Sequence, residues 1–173
     1  VILLHGDGQY APEELPLFFR AFKDAPDVVL GSRMLVKKNA LKGGMPHIKF
    51  FSNIFLTWLQ NVLAKTNISE FHTGYRAYAV SFLKDIPFEL NSNRYDFDTD
   101  ILLQAKFLEK KFIEFPISTH YGDEACNVNV FQYAIAILRT SVRYSLQQMG
   151  IGCSLKFRGS KKRIYRDKFG FPY

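Results

Sequence analysis

The chain has 173 residues, 47% of them hydrophobic and 16% aromatic, with a formal net charge of +7. That composition excludes a disordered, collagen-like or coiled-coil polypeptide and fits one globular domain with a substantial core. Two cysteines, Cys126 and Cys153, form neither a metal-type spacing nor a disulfide framework, which fits a reducing cytosol.

Val1-Ile2-Leu3-Leu4 is an apolar strand run that stops abruptly at His5-Gly6-Asp7-Gly8-Gln9. Asp7 therefore falls at the carboxyl end of a strand, where open α/β sheets bind ligands. A carboxylate between glycines can there approach a metal held by diphosphate oxygens. Asp and Gly also dominate ordinary turns, so Asp7 taken alone reads equally as a turn residue. The chain opens inside this strand, and the expectation is a carboxy-terminal portion of a domain whose earlier βα units lie upstream.

Pro12 to Phe22 predicts a helix, with Leu15, Phe18, Phe19 and Phe22 at helical spacing. Asp27 to Gly31 predicts a short buried strand leading into Ser32 and Arg33. Met34 to His47 contains Lys37, Lys38, Lys42, Gly43, Gly44 and Pro46 without periodicity, and predicts a mobile basic loop able to close over phosphates. Ile48 to Ala64 predicts an amphipathic helix with Ile54, Leu56, Trp58, Leu59, Val62 and Leu63 turned inward, too short and too polar to span a bilayer. Near Tyr95 to Leu102 another helix begins, and its early carboxylates suit the positive end of the helix dipole or cap its first turn. Phe112 to Ile117 predicts a late strand, and Asn127 to Met149 an amphipathic helix with Ile135, Ile137, Leu138, Val142 and Leu146 on its apolar face.

Four segments, taken in order, resemble family 2 glycosyltransferases of the GT-A fold, and among them the polyprenyl-phosphate sugar transferases. His5-Gly6-Asp7-Gly8-Gln9 followed by Pro12-Glu13 is similar to the family's Asp-x-Asp motif and helix start, with His5 where the first Asp is expected. Ser69 to Tyr78 resembles its Asp-x-x-Ser/Thr-Gly-Phe-Arg segment, with Glu70 at the acidic position and Gly74-Tyr75-Arg76 at Gly-Phe-Arg. Asp100, or alternatively Asp98, matches an acidic position that precedes an apolar pair. Glu114 to Asp123 is close to the family's Glu-Ile-Pro-Ile-x-x-x-Tyr-Gly-Glu/Asp.

The resemblance covers residues 1 to about 150. It implies an α/β GT-A fold, here the carboxy-terminal portion of its mixed sheet with flanking helices, followed by a basic aromatic tail over 151–173. It also implies inverting transfer of a sugar from a nucleotide-diphosphate donor to a lipid-phosphate or saccharide acceptor. A divalent cation, Mg²⁺ or Mn²⁺, would be held by Asp7 with Gln9 and His5, or else His5 contacts the nucleotide. Arg33, Lys49, Arg76 and Gln9 are the implied substrate-binding residues. Asp100, Glu70 and Asp98 are candidates for the base that a hydroxyl acceptor requires; an anionic polyprenyl phosphate needs no strong base. Localisation is expected to be cytoplasmic, peripheral at the inner face of the membrane.

The tail from Leu155 to Tyr173 carries seven cations against Asp167, and so +6 of the net charge. Such a segment can meet anionic lipid, bind nucleic acid non-specifically or remain solvated; no specific nucleic-acid module accompanies it. A second reading is an inactive remnant that keeps the scaffold as a membrane- or partner-binding module. A third, a Mg²⁺-dependent nucleotidyl or phosphoryl transferase, lacks a Gly-rich phosphate loop ending in Lys-Ser/Thr.

Overall fold

A strand whose side chains are apolar on both faces belongs in the middle of a covered sheet. β2 (Val28–Ser32) is such a strand, and every one of its residues is buried. β3 (Arg76–Tyr78) pairs with it antiparallel and β4 (Phe112–Pro116) pairs parallel, while β1 (Ile2–Leu3) lies antiparallel to β3. The sheet order is β1-β3-β2-β4, with Val29 opposite both Ala77 and Ile113. In this computed structural model, residues 1–121, 130–152 and 154–157 are described.

Among the described residues six α-helices accompany the sheet: α1 (Leu15–Ala21), α2 (Lys37–Lys42), α3 (His47–Ala64), α4 (Val80–Asp85), α5 (Phe97–Phe107) and α6 (Val130–Gln148). Alternation along β2 sends its side chains into two different cores. Val29 packs with Ala77, Tyr75, Phe18, Ile117 and Tyr10 on one face. Val28 and Leu30 pack with Tyr78, Phe82, α5 and Tyr144 of α6 on the other. Phe157, in a 3₁₀ turn over Leu155–Phe157, closes that second core by an edge-to-face contact with Tyr144 at 5.2 Å. A third cluster, Met34, Ala40, Met45 and Phe50, seats α2 against the start of α3.

Three sequence-based expectations need correction. The predicted loop over Met34 to His47 contains α2, closed by the Gly43 N–H donating to the Asn39 carbonyl at 2.9 Å. More consequentially, the inward face of α3 is only partly the expected one. Leu56 is buried and Ile54, Leu59 and Leu63 are half-buried, but Trp58 and Val62 are exposed, and Asn53, Thr57 and Gln60 share the buried face with Phe50, Leu56 and Ala64. On α6, likewise, Ile137 is buried while Ile135 and Val142 face solvent. Among the described residues, no helix is long and apolar enough to cross a membrane. Cys126, Cys153, Gly122-Asp123-Glu124, the first residues of the predicted 127–149 helix and the tail from Arg158 lie outside the described residues.

Candidate active site

β1, β2 and β4 all run in the same direction, and β3 runs against them. The carboxyl ends of three strands and the amino end of the fourth therefore meet at one edge of the sheet. From that edge His5, Asp7 and Gln9 leave β1, Arg33 leaves β2, His120 and Tyr121 follow β4, and His72 and Gly74 precede β3. Together they floor a cleft of about 1010 Å³, walled by Lys49, Ser52 and Asn53 of α3, Asp98 of α5 and Tyr133 of α6. Ligands bind at this position in open α/β sheets.

Asp7, His5 and Gln9 are brought together. Asp7 Oδ1 accepts the Gln9 backbone N–H at 3.0 Å in a turn, and Asp7 Oδ2 lies 3.9 Å from His5 Nδ1. The turn role and the ligand role thus use different oxygens. The His5 ring lies against the backbone of Gly74, where an added Cβ would come within 2.3 Å of the imidazole. The Gly74 N–H donates to the Tyr10 hydroxyl at 2.8 Å, and Tyr10 meets His5 edge-on at 5.7 Å. Among the described residues no three His, Cys, Asp or Glu side chains group as a metal cage. One carboxylate beside a histidine does suit a cation that takes its remaining ligands from substrate phosphates and water.

Arg33 and Glu70 form the most elaborate polar cluster of the cleft. Arg33 Nε donates to Glu70 Oε1 at 2.7 Å, Nη2 is ion-paired with the same oxygen, and the Arg33 backbone N–H donates to Oε2 at 2.8 Å. Asn53 Nδ2 adds a further bond to Oε1 at 2.7 Å. Burial alone would raise the Glu70 pKa, but the Arg33 charge and these hydrogen bonds outweigh it and hold the carboxyl below its ordinary range. Glu70 is fully buried and does not line the cleft; it faces Arg33 in place of a substrate proton. The remaining guanidinium donors reach the Tyr121 hydroxyl at 2.7 Å and the His72 carbonyl at 2.9 Å, so the planar group is fixed at the cleft wall.

Arg76, on β3, is also buried. It donates from Nη2 to the Phe71 carbonyl at 2.9 Å and lies 3.6 Å from Asp98 Oδ1 across the cleft floor. Asp98 is half-exposed there, whereas Asp100 is not in the cleft. Asp100 is fully buried, with Oδ2 accepting from Lys156 Nζ at 2.6 Å and the Ser92 N–H at 2.8 Å. Burial raises its pKa against the pull of Lys156. Two positions on a helix are 200° apart, which is why the cleft receives one aspartate and the core the other. Lys49 lines the opposite wall with Nζ 5.8 Å above the Tyr121 ring.

Sequence reasoning did not single out Asn53 or the pair formed by His72 and Tyr133; Tyr121 is the tyrosine of the matched Tyr-Gly motif. His72 Nδ1 is 2.7 Å from the Tyr133 hydroxyl, while its Nε2 is sealed from water with no hydrogen-bond partner among the described residues. Burial pushes the His72 pKa down to about 4, and the charges of Arg33 and Arg76 act in the same direction. The imidazole is therefore neutral at pH 7. A polar signal for Asn53 was present in its i,i+4 spacing from Lys49; the 61-residue separation of His72 and Tyr133 left none. Chemically, among the described residues the cleft offers fixed cations, the accessible carboxylates of Asp7 and Asp98, and tyrosine hydroxyls, a set matched to phosphorylated ligands.

No protein-family model matches the chain. Among curated proteins it is 30% identical over 128 residues to an uncharacterized protein of Methanocaldococcus jannaschii, covering 71% of this chain and 50% of the relative. It is 28% identical over 123 residues to the UDP-N-acetylglucosamine–dolichyl-phosphate N-acetylglucosaminyltransferase of Methanococcus voltae, covering 70% and 48% respectively. A third relative, the undecaprenyl-phosphate mannosyltransferase of Micrococcus luteus, is 28% identical over 123 residues, covering 68% and 48%. The chain spans about half the length of the curated relatives it matches. Its sequence is thus similar to those of glycosyltransferases named for polyprenyl-phosphate acceptors, and its mixed α/β sheet is compatible with such a fold.

Proposed function

We propose that this chain is part of a metal-dependent, inverting family 2 glycosyltransferase of the GT-A fold. It moves a sugar from a nucleotide-diphosphate donor to a polyprenyl phosphate. The observation that carries this reading is the pair of buried arginines, Arg33 and Arg76, fixed at a cleft whose accessible carboxylates among the described residues are Asp7 and Asp98.

Asp7, with His5 and Gln9, is the set that would hold Mg²⁺ or Mn²⁺, which when bound acts as a Lewis acid on the departing diphosphate. The arginines are stabilised in place before substrate arrives, so they meet phosphate charge without reorganising. Arg33 is oriented by Glu70 and Arg76 by Asp98. An acceptor phosphate is already anionic near neutrality, and its oxygen can attack the anomeric carbon as the sugar–diphosphate bond breaks. No general base is then required, which agrees with a cleft where Glu70 is occupied by Arg33. A saccharide hydroxyl would instead need Asp98 as its base.

His5 in place of a carboxylate favours a second reading, a non-catalytic remnant. Incubating the protein with nucleotide-diphosphate sugars, polyprenyl phosphate and Mg²⁺ or Mn²⁺ tests the two. Glycolipid product that falls about 100-fold in Asp7→Asn supports transfer, on the scale of a lost metal ligand. Absence of both product and metal-dependent nucleotide-sugar binding supports the remnant.

A further inference from the structure

His72 and Tyr133 both line the cleft, brought together from the segment before β3 and from α6. They meet in one hydrogen bond, 2.7 Å between His72 Nδ1 and the Tyr133 hydroxyl, in which either atom can donate. The other ring nitrogen decides the direction. His72 Nε2 is sealed from water and has no hydrogen-bond partner among the described residues, so a hydrogen there would be a buried donor without an acceptor. On Nδ1 the same hydrogen finds the tyrosine oxygen. A bare buried acceptor is the less costly orphan, so the neutral imidazole carries its hydrogen on Nδ1 and donates it to Tyr133.

Tyr133 then keeps its own hydrogen for the cleft. Its oxygen is engaged by His72, and among the described residues the hydroxyl meets no other hydrogen-bond partner. Burial raises its pKa to about 12, so the group stays an O–H donor throughout the neutral range. Arg76 and Asp98 are the charges that act most strongly on it. Arg76 Nη1 has only long contacts, 3.4 Å to the Asp98 carbonyl and 3.6 Å to Asp98 Oδ1, whereas Nη2 holds the Phe71 carbonyl at 2.9 Å. One guanidinium nitrogen is thus left to a ligand. A tyrosine O–H, a loosely held guanidinium N–H and a histidine that adds no charge suit a group that is negative and only accepts hydrogen bonds, a phosphate oxygen.

We infer that Tyr133 is a phosphate-binding residue of this cleft and that His72 is its positioning residue, donating from Nδ1 so that the tyrosine hydrogen points at a ligand phosphate oxygen. The inference rests on the proposed transfer for the source of that phosphate, the nucleotide-diphosphate donor or the polyprenyl-phosphate acceptor.

Protein labelled with ¹⁵N-histidine reports the ring hydrogen directly, and His72→Asn identifies the His72 signals among the four histidines by their loss. At pH 7 the expected spectrum shows a protonated Nδ1 and a bare Nε2. Inorganic pyrophosphate and geranyl phosphate, each added alone, are the donor-like and acceptor-like probes. Tyr133→Phe should weaken at least one of them about tenfold or more, the scale of a lost hydrogen bond to a charged group, and the probe affected names the phosphate. His72→Leu should show the same loss, because nothing then orients the hydroxyl. His72→Asn, whose amide can donate in place of Nδ1, should recover most of it. The inference is overturned if Nε2 carries the hydrogen, if neither probe binds the wild type, if Tyr133→Phe binds both as tightly as the wild type, or if His72→Asn is no better than His72→Leu. Probe binding and the ring hydrogen are read without turnover, so a protein that makes no glycolipid still tests this site, and failure of the site leaves the transfer assay standing.

Discussion

His72 is enclosed by Arg33 and Arg76, which repel a proton, and by Glu70, which attracts one; burial decides the outcome and leaves the ring neutral with a pKa of about 4. In the unfolded chain the same imidazole titrates near its ordinary value of 6.5. Between those values the unfolded chain takes a proton that the folded protein refuses. The contribution is therefore fully present above pH 6.5 and is lost as pH falls toward 4. By pH 5 the loss attributable to this group is on the order of 2 kcal/mol. Denaturant midpoints at pH 7 and pH 5 should fall further for the wild type than for His72→Asn, whose amide keeps a partner for Tyr133 but does not titrate. Equal losses would mean that His72 is not held neutral. A neutral ring also adds no positive charge beside Arg33 and Arg76, the groups the proposed transfer uses.

At the scale of the element, α3 walls the cleft, and its carboxyl end carries a correctable strain. Lys65 caps it in the left-handed region, φ 52° and ψ 51°, with its N–H donating to the Asn61 carbonyl. A residue with a Cβ is disfavoured there by roughly 1–2 kcal/mol. Lys65→Gly relieves this at some expense in unfolded-chain entropy, and a net gain of about 0.5–1 kcal/mol should appear as a higher unfolding midpoint. Nucleotide-sugar binding should not change, since Lys65 is exposed and does not line the cleft.

α3 also shows where sequence reasoning succeeds and stops. Its period marked Leu56, Trp58 and Val62 as apolar positions of one helix, but α3 is apolar on more than one side and periodicity does not say which side is inward: Leu56 is buried, whereas Trp58 and Val62 are exposed. β2 was legible as a short buried apolar run, and β4 as an aromatic and β-branched stretch that stops at a proline. α2 and α4, each of six residues, are too short to give a periodic signal. In the cleft, Asp7, Arg33, Lys49 and Arg76 were legible from motifs next to strand and helix ends. The partnership of Glu70 with Arg33 was not, because 37 residues separate them and Glu70 lies outside any regular element, between α3 and β3.

The whole molecule rests on a small sheet with a core on each face, and the larger core is completed from outside the sheet and its helices. Phe157 is buried against Tyr144, and the preceding Lys156 neutralises Asp100 inside the fold. Although the basic tail begins here by composition, its first turn is structural. Ending the chain after Phe157 removes none of the described contacts and should leave a cooperative thermal transition close to that of the full chain. Ending it after Gly150 removes a buried phenylalanine, a loss of about 3–5 kcal/mol, and strands a buried carboxyl without its cation, a further few kcal/mol. Against a total of roughly 5–15 kcal/mol, that combination should abolish the cooperative transition or leave the protein insoluble. Phe157→Ala alone should fall between the two. If both truncations melt alike, the Leu155–Phe157 turn is a passenger, and Asp100 must be kept neutral by its own protonation in place of Lys156, an alternative its burial-raised pKa makes measurable by titration.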